Sequence, residues 1–186
     1  GDGYSQEWHK MAVEERGLKN LPTTADALPY FNDPSIKTLF ESTGVLSAIE
    51  LESRYEVYAE IYVLSIAVEA KLVIEMAKTM IYPAAMSYLA ELSAANSGMA
   101  AMGIVLDTSV ASKVAEHANA MRIGVSELEE VAAKTEFAGT DEHLQHCAAN
   151  IRPLMDKIRV HADILEAEIS DKTWPLPKYR EMLFIK

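Results

Sequence analysis

Residues 47–72 read SAIELESRYEVYAEIYVLSIAVEAKL, and this stretch decides the fold. Its apolar side chains recur at spacings of three and four, which is the period of an α-helix. From Ser47 to Ser93 there is no glycine and one proline, Pro83, and Ser47 and Glu50 have the spacing of a capping box. The pattern predicts one amphipathic helix of about 65–70 Å that bends at Pro83. Its two apolar rows are Val57, Ile61, Leu64, Val68 and Leu72, and Tyr55, Tyr58, Tyr62 and Ile66.

Short helices are predicted before this long one. Ser5 and Asp33 are residue types that cap helix starts, and Gly17 and Gly44 suit positions just past helix ends. Prolines interrupt the chain between the two helices. Residues 1–32 are therefore predicted to be an irregular lead-in segment with one short helix, and a second short helix follows it.

Two further helices with heptad faces are predicted downstream. Residues 96–103 hold two glycines and small side chains, which predicts a loop before the first of them. A short connection at Gly139 and Thr140 makes the two helices an antiparallel hairpin, and Pro153 should bend the second. Packed on the long helix, the hairpin predicts an all-α fold, an antiparallel bundle of three long helices within residues 33–173. The heptad faces are Val114, Ala118, Met121, Val125, Leu128 and Ala132, and Leu144, Cys147, Ile151, Leu154, Ile158, His161 and Leu165.

The last thirteen residues, WPLPKYREMLFIK, form an unusually apolar chain end. Pro175 and Pro177 oppose a helical start, so residues 174–186 are predicted to be an extended tail docked on a surface. That surface is either the lead-in segment around Trp8 and Tyr30 or protein outside this chain. All three segments together are predicted to form one domain. The candidate docking side chains are Trp174, Leu176, Tyr179, Met182 and Phe184, with Tyr55, Tyr58 and Tyr62 of the long helix.

The composition restricts the partners and the compartment. The chain has 186 residues and a formal net charge of -11, which argues against nucleic acid or an anionic membrane as a partner. Charged residues interrupt every apolar run before it reaches the length of a membrane span. The single Cys147 cannot form an internal disulfide, and no signal sequence precedes the first helix, so a cytoplasmic location is expected.

Candidate catalytic and metal-binding residues are few. His143, His146 and Cys147 fall on one helical turn at spacings that suit a divalent metal, but the sequence indicates no fourth ligand. Packing of Cys147 and solvent exposure of His143 near a helix start explain both residues without a metal. No histidine follows a glutamate by three residues, as in carboxylate-bridged di-metal bundles, and no serine or cysteine sits in a nucleophile elbow. We therefore predict no catalytic or cofactor-binding residue.

Eight segments carry a family resemblance. They are GDGYSQEWHKMAVEERGL (1–18), LPTT (21–24), ALP (27–29), GVLS (44–47), ELESRYE (50–56), EMAKT (75–79), PAA (83–85) and WPLPKYREMLFIK (174–186). These segments resemble the C-terminal domain of type III glutamine synthetases. The resemblance runs over nearly the whole chain and is densest at its ends.

The resemblance implies a parent enzyme that joins ammonia to glutamate with ATP and a divalent metal, Mg or Mn, through a γ-glutamyl phosphate. It also implies a dodecamer of two hexameric rings, with the catalytic residues in the catalytic domain of the same polypeptide. This chain is then expected to be inactive alone and to have a structural, oligomerisation or regulatory role. Two other interpretations stay open. One is a stand-alone helical module that binds a peptide or partner helix in a groove lined by Met and Tyr, and the other is a metal-binding bundle that uses His143, His146 and Cys147.

Overall fold

The structure, a computed structural model, describes residues 3–183, and the regular secondary structure in that range is helical. The all-α prediction is confirmed. The α-helices are α1 (Gln6–Glu14), α2 (Thr24–Ala27), α3 (Pro34–Ser42), α4 (Ala48–Met76), α5 (Tyr82–Ala101), α6 (Ser109–Ala132), α7 (Thr140–His146), α8 (Arg152–Glu168) and α9 (Tyr179–Met182). A 3-10 turn covers Leu28–Asn32, and π-helical turns cover Ala77–Ile81 and Cys147–Ile151.

The predicted caps form at the helix starts. The Ser5 side chain accepts a backbone N–H from the first turn of α1. The Oδ1 of Asp33 accepts the N–H of Ser35 at 2.8 Å, and the N–H of Ser47 donates to Oε2 of Glu50 at 2.8 Å. These bonds satisfy backbone groups that every helix start leaves unpaired, so the positions of these starts were predictable from sequence.

The predicted long helix is present, and its irregularity lies just before Pro83. A π-helical turn joins α4 to α5, and in it the N–H of Tyr82 bonds to the carbonyl of Ala77, five residues back. Pro83 has no N–H, and its ring would collide with the carbonyl of Thr79, so the helix widens there. Pro153 stands two residues after the other π-helical turn, as Pro83 does, so the same explanation holds for both prolines.

The predicted loop at residues 96–103 is wrong over residues 96–101 and begins only at Met102. Helix α5 continues to Ala101 and contains Gly98. Alanine and methionine favour helix, and one interior glycine costs only about 1 kcal/mol relative to alanine, so this composition does not end a helix. The end comes at Gly103, whose φ of 77° is a left-handed conformation that glycine adopts readily.

The chain divides into two compact units. The first unit comprises the described residues up to Leu64 together with Phe137–Ala148, and the second comprises Ser65–Glu136 with the described residues from Ala149 onward. The chain passes between the units inside α4, after Leu64, in the connection between α6 and α7, after Glu136, and inside the second π-helical turn, after Ala148. These units are groups of packed residues, and the predicted domain limits at residues 33 and 174 stay a prediction.

The first unit has a small core built from α2, α4 and α7. The buried side chains are Ala25, Leu28, Tyr55, Ala59 and Leu144, against which Phe31, Tyr62, Val63 and Ala148 pack. Polar bonds tie the same helices together. The Nε2 of Gln145 donates to the carbonyl of Ala25 at 3.2 Å, and the Oγ1 of Thr140 donates to Oε2 of Glu56 at 2.9 Å.

In the second unit, α6 packs against both α5 and α8. Lys113 near the start of α6 pairs with Glu168 at the end of α8, and Glu127 near the end of α6 pairs with Lys157 near the start of α8. The two helices are therefore antiparallel, as the heptad faces predict. Five of the six residues predicted on the α6 face are buried: Val114, Ala118, Met121, Val125 and Leu128.

Candidate interaction surfaces

The first apolar row of the long helix lies largely in solvent. Its five residues are each 49–57% exposed, and we call them the α4 row: Val57, Ile61, Leu64, Val68 and Leu72. Other apolar residues of α4, including Tyr55, Ile66 and Ala70, are buried. A helix that is apolar on two sides has two packing surfaces. The described residues of this chain fill only one of them.

The tyrosines of the second row have different environments. Tyr55 is buried, and its hydroxyl donates to the carboxylate of Asp141. Burial, and then the hydrogen bond to Asp141, raises the pKa of Tyr55 well above its usual range. Tyr58 is 42% exposed and meets the ring of Phe31 edge to face, with 6.0 Å between ring centroids. Of these predicted docking residues, Tyr58 offers accessible surface, whereas Tyr55 is a core residue of the first unit.

The predicted tail begins as an extended segment and then forms one helical turn, α9. The turn starts immediately after Pro177, because the Oε2 of Glu181 accepts the N–H of Lys178 at 2.9 Å and caps it. The expectation of a wholly extended tail is therefore wrong at Tyr179–Met182. The prolines hold only the residues before the cap in an extended conformation.

The tail is anchored to the end of α8. Trp174 is buried, and its N–H donates to the carbonyl of Ser170 at 2.9 Å. The Nζ of Lys178 donates to the carbonyl of Glu166 at 3.1 Å and pairs with Asp171 at 2.6 Å. Packing of the tail on the lead-in segment stays a prediction.

The other predicted docking residues of the tail differ in accessibility. Leu176 is half-buried, whereas Met182 is 65% exposed. Tyr179 lies in α9, and its side chain is outside the described part of the structure, as is all of Phe184.

The three candidate metal ligands, two in α7 and Cys147 at the start of the following π-helical turn, have local packing roles. The ring of Phe137 stacks on His143 with 4.0 Å between centroids and lies 5.1 Å from the ring of His146. Cys147 is buried, which raises the pKa of its thiol. Burial, and then the neighbouring His146, lowers the pKa of His143. Within residues 3–183, no group of three or more histidine, cysteine and acidic side chains could hold a metal ion.

A second histidine pair connects the antiparallel helices α6 and α8. The Nδ1 atoms of His117 and His161 are 3.0 Å apart, and both rings are half-buried. Burial, then His117 and Lys157, lowers the pKa of His161, while Glu116 opposes this shift. Sequence reasoning treated each histidine singly and missed the pair. The signal for it was the register of the two heptad faces, which places residue 117 opposite residue 161.

The connection between α5 and α6 is exposed and apolar. We call this connection the hairpin tip and define it as residues 102–106 together with Val110. It joins α5 to α6 and is distinct from the predicted connection at Gly139 and Thr140. Its exposed side chains are Met102 (67%), Ile104 (45%), Val105 (93%) and Val110 (36%). No charged residue occurs from Leu92 to Leu106. Sequence reasoning expected a loop of small residues here and missed this surface.

The long helices are not membrane spans. Among the described residues, none of the helices combines the length and the apolar character needed to cross a bilayer. The α4 row and the hairpin tip expose apolar side chains in groups, and surfaces of this kind on proteins mark sites of interaction.

These features define an all-helical domain with apolar surfaces that its own described residues leave open. Residues 1–100 match the family model for the glutamine synthetase C-terminal domain, and the chain belongs to that family. It is 33% identical over 197 residues to a type-3 glutamine synthetase of Dictyostelium discoideum, covering 100% of this chain and 26% of the relative. It is 31% identical to glutamine synthetases of Bacteroides fragilis (strain YCH46), over 100% of this chain and 27% of the relative, and of Butyrivibrio fibrisolvens, over 99% and 27%. The chain spans about a quarter of the length of these relatives. The resemblance to the C-terminal domain of type III glutamine synthetases is confirmed.

Proposed function

We propose that this chain is a non-catalytic helical domain of a type III glutamine synthetase, which packs on the catalytic portion of the same polypeptide and supports its oligomeric assembly. The observation that carries the proposal is the α4 row. Valine, isoleucine and leucine at helical spacing are normally buried, and here they are half in solvent. In the relatives, about three-quarters of the polypeptide lies outside the matched region and is available to cover such a row.

The energy available from covering the α4 row is substantial. Completing the burial of a half-exposed valine, isoleucine or leucine is worth about 1 kcal/mol, so the whole row contributes about 5 kcal/mol. Docking within one polypeptide avoids most of the entropy cost of bringing two molecules together. The row is therefore large enough to hold this domain on a covalently linked neighbour.

The chemistry of the proposed enzyme belongs outside this chain. In this proposal the parent enzyme ligates ammonia to glutamate with ATP and a divalent metal, Mg or Mn, in the cytoplasm. The described residues offer no cluster suited to that metal, so we assign no step of the reaction to them. The net charge of -11 supports a protein partner and disfavours nucleic acid.

We also propose that α5, α6 and α8 form an antiparallel three-helix arrangement, in which α6 packs against both α5 and α8. The ion pairs between α6 and α8 support their antiparallel direction. Two contacts support an antiparallel direction for α5 and α6 as well. Lys78, in the π-helical turn just before α5, pairs with Glu129 near the end of α6 at 2.7 Å. The guanidinium of Arg122 on α6 lies 5.1 Å from the ring centroid of Tyr82 at the start of α5. Such an arrangement provides a rigid body on which the apolar surfaces are fixed.

The test is a charge substitution in the α4 row of the full-length enzyme that carries this domain. Ile61→Glu with Leu64→Glu should release the domain, because burying two unpaired carboxylates costs several kcal/mol. We expect disrupted assembly by sedimentation velocity and reduced glutamine formation. Ile123→Glu is the matched control, since Ile123 on α6 is 59% exposed and lies outside the row.

Normal assembly and normal turnover of the doubly charged variant would contradict the proposal. Those results would favour the stand-alone interaction module, whose binding to another protein does not require the enzyme. Turnover of glutamate, ammonia and ATP by the 186-residue chain alone would contradict the non-catalytic assignment directly.

A further inference from the structure

The His117–His161 pair places two imidazole rings end to end between α6 and α8. Their Nδ1 atoms are 3.0 Å apart, and their ring centroids are 5.2 Å apart. The centroid separation is close to the nitrogen–nitrogen distance plus one ring radius on each side. The two nitrogens therefore lie nearly on the line between the ring centres, and each points at the other at a hydrogen-bond distance.

The gap between these nitrogens suits a proton and not a metal ion. A metal held by two histidines lies about 2.0–2.1 Å from each nitrogen, at a point on which both lone pairs converge. Here the two lone-pair directions oppose each other, so a metal on the line between the nitrogens would be too close to both. Among the described residues, no group of three or more potential metal ligands includes this pair. The pair is therefore a proton-binding contact.

The hydrogen bond determines where the protons of the pair can be. A neutral imidazole has one N–H and one lone pair. One ring must donate from Nδ1, and the other must accept at Nδ1 and carry its own proton on Nε2. A first proton from solvent can bind the free Nε2 of the donor ring, which makes the contact a stronger, charge-assisted hydrogen bond. The contact is thus kept with no charge or with one positive charge.

A second added proton has only one place to bind. It must take the Nδ1 lone pair of the accepting ring, and that lone pair is the acceptor of the hydrogen bond. Its protonation breaks the bond and leaves two positive rings whose Nδ1–H groups face each other across 3.0 Å. Groups that interact this strongly titrate as a pair, in two separate steps. The second step is the one that opens the contact.

The charges around the pair oppose the second proton. Burial, then His117 and Lys157, lowers the pKa of His161, and Glu116 acts in the other direction. Helix α5, which also packs on α6, has one charged residue, Glu91. The other charged groups of α6, α8 and the first π-helical turn that lie near these helix faces are ion-paired: Lys113 with Glu168, Lys157 with Glu127, Lys78 with Glu129 and Arg159 with Asp163.

The pair lies in the middle of the apolar contact between α6 and α8. On each helix, the residues three before and four after the histidine are buried. They are Val114 and Met121 on α6 and Ile158 and Leu165 on α8. Two like charges at this point act against the packing on both sides of them. The end of α8 also anchors the tail through the buried Trp174, so α8 and the tail are held together.

We propose that the His117–His161 pair is an acid-sensitive latch, which holds α8 on α6 until both rings are protonated. The latch is closed above pH 6.5, the ordinary pKa of histidine, and opens as the pH falls well below it. Opening separates α8 from α6 and exposes the apolar face of α6. The inference goes beyond the proposed structural role and does not depend on it, because both helices belong to this chain.

The first test is histidine ¹H–¹⁵N NMR of the 186-residue chain between about pH 8 and about pH 4.5. At the upper end we expect one ring of the pair as the Nδ1–H tautomer and the other as the Nε2–H tautomer. On acidification the two rings should protonate at proton concentrations that differ by at least about tenfold. Two Nε2–H tautomers, or protonation of both rings in one step, would overturn the latch.

The second test is amide hydrogen exchange in α6 and α8, measured relative to α4 in the same sample so that the intrinsic pH dependence cancels. Between about pH 7 and about pH 5, protection of α8 should fall at least about tenfold more than protection of α4. His117→Leu with His161→Leu removes both titrating groups, so the difference should shrink to less than about twofold. His9→Gln is the control, because His9 on α1 is exposed and lies outside the pair.

Three exchange results would contradict the latch. They are equal loss of protection in α4 and α8, which is general acid unfolding, an undiminished difference in the double variant, and a difference that His9→Gln abolishes. If the double variant does not fold, NMR of the unsubstituted chain still decides the question, because it needs no substitution. Docking of the α4 row is unaffected by any of these results, since the full-length assembly assay tests it separately.

Discussion

Helices α4 and α6 carry the same kind of apolar pattern, but their apolar rows differ in burial. Val114, Met121 and Leu128 on α6 are fully buried against neighbours in the second unit. The α4 row has equally large side chains at the same spacings, and it is half in solvent. An amphipathic pattern therefore predicts that a surface will be covered, but it does not say whether the cover belongs to the same chain.

The largest effect separates the two rows directly. Met121→Ala and Leu128→Ala should each lower the free energy of unfolding of the 186-residue chain by about 2–5 kcal/mol, because they leave cavities in a packed core. Ile61→Ala and Leu64→Ala should lower it by at most about 1 kcal/mol each, because about half of each side chain is already in solvent. Urea unfolding followed by circular dichroism measures all four. Equal losses in both rows would show that the α4 row is packed within the chain.

The same contrast explains how far sequence reasoning reaches. Caps such as Ser47 with Glu50 depend on residues three apart, so they were predictable, and so was the buried face of α6. The continuation of α5 through residues 96–101 was missed because glycine was given more weight than alanine and methionine. The His117–His161 pair and the position of the exposed row depend on contacts between helices distant in sequence, which propensity does not contain.

Two glycines sharpen the comparison between a filled and an open surface. Gly124 on α6 is buried, and an added Cβ would lie 3.0 Å from Cγ1 of Ile158. Gly124→Ala should therefore cost about 1 kcal/mol, the overpacking penalty less the gain in helix propensity. Gly98→Ala should instead stabilise the chain by about 0.5–1 kcal/mol, because its Cβ meets nothing. Thermal unfolding of both variants tests both signs.

The histidine pair predicts a smaller, pH-dependent effect in the α6–α8 interface. The pKa of His161 is held below its ordinary value of 6.5, so on acidification the unfolded chain takes up the proton first. Stability should be complete above about pH 6.5 and fall as the pH drops through that value. Near the ring of His161, His117 and Lys157 disfavour the charged form of the imidazole and Glu116 favours it. Lys113, one helical turn before His117 on α6, is paired with Glu168.

Substitution of the ring isolates this contribution. Chemical denaturation at several pH values should show a shallower pH slope for His161→Leu than for the unsubstituted chain. His143 contributes a slope of the same sign, because burial also lowers its pKa, so His143→Gln is the reference background. An unchanged slope in His161→Leu would mean that the pair does not couple protonation to folding.

The smallest effect concerns how α5 is held to α6. The Lys78–Glu129 pair is 2.7 Å long, but its side chains are 39% and 42% exposed, so solvent screens it and a coupling energy of at most about 0.5 kcal/mol is expected. A double-mutant cycle with Lys78→Ala and Glu129→Ala measures this energy, and 0.5 M NaCl should reduce it further. A coupling well above 1 kcal/mol would mean that charge holds α5 in place. The small coupling energy that we expect would leave apolar packing as the main interaction between α5 and α6. Helix α5 would then contact α6 through the same kind of apolar surface that it exposes near the hairpin tip.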